Sequence, residues 1–142
     1  MSVTLPPLTW GYMVLAVADL ERLRDWYCRV LGFELAMAGA MPEAEAQFVV
    51  LKGHGMRLEL CRRTGSDPVR EPTPAPPHHL DRTGWTVFTL NCPDLHALGQ
   101  WLAVQGAEVI WSAHSLAPGI CSTLLRDPEG NLINLFGPQP QV

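Results

Sequence analysis

Apolar positions along this chain follow two spacings, and the two alternate in the same order twice. Residues 12–17 form an apolar, β-branched run ending at Ala18-Asp19, which predicts a buried strand leading into a helix. From Leu20 the spacing becomes helical. Leu20, Leu23, Trp26, Tyr27, Val30 and Leu31 make one apolar stripe, and Glu21, Arg22, Arg24, Asp25 and Arg29 fill the other side. Asp19 can accept from the free N–H groups of the first turn, and Gly32 ends the helix. Residues 33–37 then read as a strand, 38–45 as a loop, and 46–51 with 56–61 as a hairpin turned at Gly53-His54-Gly55.

The second half repeats the order. A strand over 85–91 leads through Pro93-Asp94 into a helix over 95–105, whose Leu95, Leu98, Trp101 and Leu102 point inward and which stops at Gly106. A strand over 108–111, a loop over 112–119, and a hairpin of 120–126 with the apolar run after Asn131 complete it; 139–142 is a tail. That hairpin turns at Asp127-Pro128-Glu129-Gly130-Asn131, where Pro presets φ and Gly130 supplies a positive φ without steric cost. Gly55 lies 75 residues before Gly130, as Glu59 does before Asn134, Asp19 before Asp94 and Trp26 before Trp101. The chain is therefore two copies of one β-α-β-β-β unit. Module 1 spans 10–61 and module 2 spans 85–138; the five prolines at 68, 72, 74, 76 and 77 make 62–84 an extended surface linker within a single domain, 1–142.

Composition narrows the function classes. A net charge of -4 gives no basic footprint for nucleic acid or anionic lipid, so small-molecule work is expected. The first residues lack the charge and apolar core of a signal peptide, and no apolar run is long enough to cross a bilayer, so a cytoplasmic location is expected. Cys28, Cys61, Cys92 and Cys121 stand singly, without metal or redox spacing, and read as small buried hydrophobes.

Each module buries one sheet face under its own helix, which leaves the other face to be covered. If the two sheets curl over one another, a pocket forms between them. Alternation places Tyr12, Arg57, Glu59, Trp85, Asn134 and Phe136 on that side, along with Val14, Val87, Thr89 and Leu132.

These features resemble the vicinal oxygen chelate superfamily. The resemblance rests on the strand into Asp19-Leu20-Glu21, on Trp26-Tyr27 and Leu31-Gly32-Phe33, and on the ending Asp127-Pro128-Glu129-Gly130-Asn131. That superfamily includes glyoxalase I, extradiol dioxygenases and bleomycin-type resistance proteins. The resemblance implies an α+β fold, a curved mixed sheet around a pocket, and a homodimer. It also implies four equivalent strand positions that hold a divalent metal in the enzymes, matched here to Tyr12, Glu59, Trp85 and Asn134. Of these only Glu59 is a convincing ligand, because neither an indole nor a neutral phenol donates to such an ion. The implied function is metal-free binding of a small, partly aromatic molecule, as in antibiotic sequestration or metabolite binding, with no catalytic residue and no cofactor. The alternative is a metal-dependent lyase, isomerase or dioxygenase using Glu59, Asn134 and further donors, His114 or a group from a second subunit among them.

Arg57 and Glu59 are expected to pair structurally. His78 and His79 belong to the linker surface, and His114 to a solvated loop. Asp127, Asp19 and Asp94 serve as turn former and helix caps.

Overall fold

The computed structural model describes residues 2–141. Module 1 consists of β1 (Met13–Ala16), α1 (Leu20–Leu31), β2 (Glu34–Met41), β3 (Ala46–Gly53) and β4 (Met56–Arg63). Module 2 consists of β5 (Val87–Asn91), α2 (Leu95–Gln105), β6 (Glu108–Ala117), β7 (Ile120–Arg126) and β8 (Leu132–Gly137). Each carries a four-stranded mixed sheet, ordered β1-β4-β3-β2 and β5-β8-β7-β6. In both, the first and last strands of the module run parallel and the others antiparallel. The fold is α+β, built from two tandem β-α-β-β-β modules.

Both helices begin and end where the capping residues place them. Asp19 accepts from Arg22 N and Asp94 from Ala97 N, while Gly32 and Gly106 close the C-termini in the left-handed region at φ +72° and +67°.

The edge strands differ from expectation. β2 runs on to Met41 instead of giving way to a loop after residue 37, and a short 3-10 turn, Pro42–Ala44, follows it. Its sequence, rich in Ala and Gly and exposed throughout, carries no alternation to read. The Phe48 ring of β3 covers Gly39, where an added Cβ would come within 3.0 Å of it. β6 likewise continues through the segment expected to be a loop, to Ala117, because register shifts between Val109 and Trp111 and between Trp111 and His114 break the alternation. β1 and β5 start one and two residues later than expected, leaving Tyr12 and Trp85 just outside the paired strands.

One hydrophobic core spans both modules on the helix side, from Leu23, Tyr27, Leu58 and Leu60 to Leu95, Leu102, Leu125 and Ile133. The modules join there through α1 against α2 and through polar clasps. Trp101 Nε1 donates to Val30 O at 2.8 Å, Arg29 Nη1 to Gln105 Oε1 at 2.8 Å, and Tyr27 Oη to Asp127 Oδ2 at 2.8 Å. Glu129 reaches from the module 2 turn to the start of α1, its carboxylate accepting from Ala18 N at 2.9 Å and Asp19 N at 2.8 Å. An anion there satisfies unpaired N–H groups and faces the positive end of the helix dipole.

This packing decides what the other sheet faces do. Val50, Leu124 and Leu132, which sit on them, lie outside the shared core. Those three side chains are themselves buried, but no strand of one sheet packs extensively against a strand of the other, so within one chain the sheets do not close over one another.

Candidate functional site

The open face of the first sheet centres on Glu59. It pairs with Val14 on one side and Val50 on the other, so three strands set its position. The residue is only 8% exposed, yet among the described residues its carboxylate has neither a hydrogen-bond donor nor a cation within ion-pair distance. The expected Arg57–Glu59 pair is absent. Arg57 instead lies opposite Lys52, which in turn lies opposite Glu34, at one end of the same face. Two cations directly opposite one another repel. They border an open recess of about 540 Å³ that also takes in Trp10, Gly53 and Met56. Tyr12, just ahead of β1, is 52% exposed.

The open face of the second sheet centres on Asn134, paired with Thr89 and Leu124. Here the polar groups are connected. Trp111 Nε1 donates to Ser122 Oγ at 2.9 Å, and Ser122 Oγ donates to Asn134 Oδ1 at 2.5 Å. His114 stacks on the Trp111 ring with centroids 4.5 Å apart and planes 22° from parallel. The expected solvated loop histidine is thus part of the sheet face. In an unbroken strand residues 111 and 114 would point to opposite sides; the irregularity between them, with Ala113 at φ +48°, restores them to one side. Phe136 is half-buried opposite Ser122.

Register also corrects one equivalence. Met13 pairs with Leu58 and Phe88 with Ile133, the same positions 75 residues apart. The counterpart of Tyr12 is therefore Val87, not Trp85. Trp85 corresponds to Trp10, and is 99% exposed.

The four positions suited to a metal in related enzymes are thus a phenol, a carboxylate, an aliphatic side chain and an amide whose oxygen already accepts from Ser122. That donor set does not fit a divalent ion. Among the described residues no three His, Cys, Asp or Glu side chains gather into a metal-binding group.

A pair of tandem β-α-β-β-β modules with capped helices, two four-stranded mixed sheets and a shared core on the helix side defines an α+β protein of paired modules. The chain belongs to the Glyoxalase/Bleomycin resistance protein/Dioxygenase superfamily, whose family model matches residues 9–135. It is 27% identical to the catechol-2,3-dioxygenase of Bacillus subtilis over 134 residues, 92% of this chain and 42% of that protein. The chain thus spans less than half the length of that relative. Its fold is similar to that of a glyoxylase/bleomycin resistance protein/dioxygenase domain from Frankia sp. EAN1pec, with a TM-score of 0.72, 17% identity, and coverage of 95% of this chain and 93% of that one. It is also similar to the trypanothione-dependent glyoxalase I of Leishmania major, with a TM-score of 0.69, 18% identity, and coverage of 92% and 87%. No helix among the described residues is long and apolar enough to cross a membrane.

Proposed function

We propose that this protein binds a small, partly aromatic organic molecule without a metal, as an antibiotic-sequestering or metabolite-binding protein, and that it does so as a homodimer. Glu59 carries the reading. The residue is mostly buried on the sheet face, but its carboxylate oxygens keep contact with solvent and have no partner among the described residues, so a ligand or a second copy can supply their donors. The repeat suggests the partner. Each open face belongs to a four-stranded sheet of the same strand order, and the helix-side packing keeps the two apart within a chain. A second copy can lay its second sheet over the first sheet of its mate, forming two equal pockets by one twofold axis. In such a pocket Glu59 and Arg57 of one copy orient the ligand, Tyr12 packs on its flat part, and Asn134 and Phe136 come from the other copy. Trp85, at the margin, is the least constrained of the proposed contacts.

The test combines metal analysis with ligand binding. After exposure to Mn, Fe, Ni and Zn ions and desalting, the protein is expected to retain no stoichiometric metal. A thermal-shift screen of antibiotics and metabolites is expected to find stabilising ligands, since a molecule bound only to the native state raises Tm. Glu59→Gln is expected to weaken their binding by about 10-fold or more, the value of a charge-assisted hydrogen bond. The similarity to a catechol-2,3-dioxygenase supports a second reading, a metal-dependent enzyme completed by donors from another subunit. One metal per chain, lost in Glu59→Ala together with turnover, would replace the first reading with the second.

A further inference from the structure

We infer that the open face of the second sheet recognises a hydrogen-bond acceptor on a flat, conjugated molecule, because Asn134 is held with its amide N–H groups outward beside the Trp111–His114 stack. The inference rests on the reading of the protein as a metal-free binder and specifies what its ligand must carry.

The orientation follows from donor and acceptor counting. An indole N–H can only donate, so Ser122 Oγ is its acceptor, at 2.9 Å. The Ser122 hydroxyl hydrogen is then free, and it points to Asn134 Oδ1 at 2.5 Å. Ser122 is 1% exposed, so it has no water to turn to instead. The chain Trp111, Ser122, Asn134 therefore fixes the amide, and its oxygen is the buried end. The Nδ2 group has no partner among the described residues, and Asn134 is only half-buried. Two N–H donors thus face the open side of the sheet.

The surroundings fix the rest of the ligand. His114 and Trp111 lie nearly parallel, a flat wall two rings deep. Half-buried Phe136 flanks Asn134 with apolar surface, and Leu124, opposite Asn134, is buried beneath it. A planar molecule can rest its ring against this wall or on the flanking surface and set a carbonyl, carboxylate, nitro or N-oxide oxygen on Nδ2. A molecule that offers only donors at that point meets two donors and loses a hydrogen bond. A ligand that covers these fixed donors without accepting from them leaves them unpaired, which discriminates more strongly than apolar contact alone.

The experiment is a ¹H–¹⁵N correlation spectrum of the full-length protein titrated with matched small aromatics: acetophenone, nitrobenzene and benzoate as acceptors, aniline and toluene as controls. Acceptor probes are expected to shift the Asn134 side-chain NH₂ pair and the Trp111 indole N–H, and to bind at least about 5-fold more tightly than the controls. Asn134→Asp, which replaces the donors by an oxygen, is expected to abolish that preference or reverse it towards aniline. Ser122→Ala is expected to reduce it by freeing the amide to turn. If Asn134→Asp fails to fold, Asn134→Leu, which keeps the size and has no donor, is expected to abolish the preference for acceptors. Equal binding of acceptors and controls, with the Trp111 signal shifting for both, would overturn the inference while leaving the binding reading intact. If no probe perturbed this face, both would fall.

Discussion

Replacing Asp127 by Ala is expected to lower the free energy of unfolding by about 3–5 kcal/mol, the usual cost of removing one member of a buried charged network. The carboxylate is 3% exposed and receives every donor around it. Oδ1 accepts from Glu129 N at 2.9 Å and Asn131 N at 3.0 Å, which shapes the turn. Oδ2 accepts from Tyr27 Oη at 2.8 Å and Asn131 Nδ2 at 2.9 Å. Without Asp127 the turn loses its centre, and the phenol of Tyr27, fully buried in module 1, is left without an acceptor. Tyr27→Phe removes only one donor and is expected to cost about 1–2 kcal/mol. Urea denaturation of the two single mutants and the double mutant would show the coupling as a double-mutant loss smaller than the sum.

The same pair sets a pH dependence. Burial pushes the Asp127 carboxyl above its ordinary value, even though its hydrogen-bond donors pull the other way. Its contribution to stability is therefore fully present below the ordinary aspartate pKa of about 4 and is lost as pH rises through the raised folded value. Burial, and then the Asp127 charge, push the Tyr27 phenol well above its ordinary value. The sign is the same, with the loss displaced to pH above about 10. Alkaline destabilisation should accordingly be shallower in Tyr27→Phe than in the wild type, measured as midpoint of urea unfolding against pH.

Gly130→Ala is expected to cost about 2–4 kcal/mol and to free the Pro-rich linker. Gly130 sits at φ +84°, where an added Cβ is strained, and that Cβ would lie 2.6 Å from the Cα of Pro72. The obstruction is backbone, so it cannot be relieved by a rotamer change. The linker is also tied down here: Thr73 N donates to Gly130 O at 3.0 Å, and Arg126 Nη2 donates to Thr73 O at 2.8 Å. Gly55, its counterpart in module 1, has a similar φ of +77° but nothing within 4 Å of an added Cβ. Gly55→Ala should therefore show the conformational cost alone, about 1 kcal/mol. Limited proteolysis should cut residues 64–86 faster in Gly130→Ala and not in Gly55→Ala.

These contrasts show which parts of the fold could be read from the chain. The helices were legible because Asp19, Asp94, Gly32 and Gly106 mark their ends and apolar stripes mark their faces. The hairpin of β7 and β8 was legible because Pro128 and Gly130 specify its turn. The edge strands β2 and β6 were not. Small residues carry no alternation in β2, and irregular register in β6 moves side chains from one face to the other. Glu59 could be found from parity, since β4 is regular. The Trp111, Ser122 and Asn134 chain could not, because its geometry depends on a shift of register that leaves no mark in residue type. Nor could the sequence say on which side the modules would join. That was decided by Tyr27, Trp101 and Arg29, ordinary helix residues whose partners lie 71 to 100 positions away.

The grip of Glu129 on the start of α1 has a consequence for synthesis. Its bond to Ala18 N links residues 111 positions apart. At about 5–20 residues per second, the helix leaves the ribosome roughly 5–20 s before the group that completes its first turn. Module 1 must wait, with α1 held by Asp19 alone and the module 2 side of its core uncovered. Chains stalled or truncated ahead of residue 129 should therefore be the species that chaperones and proteases meet.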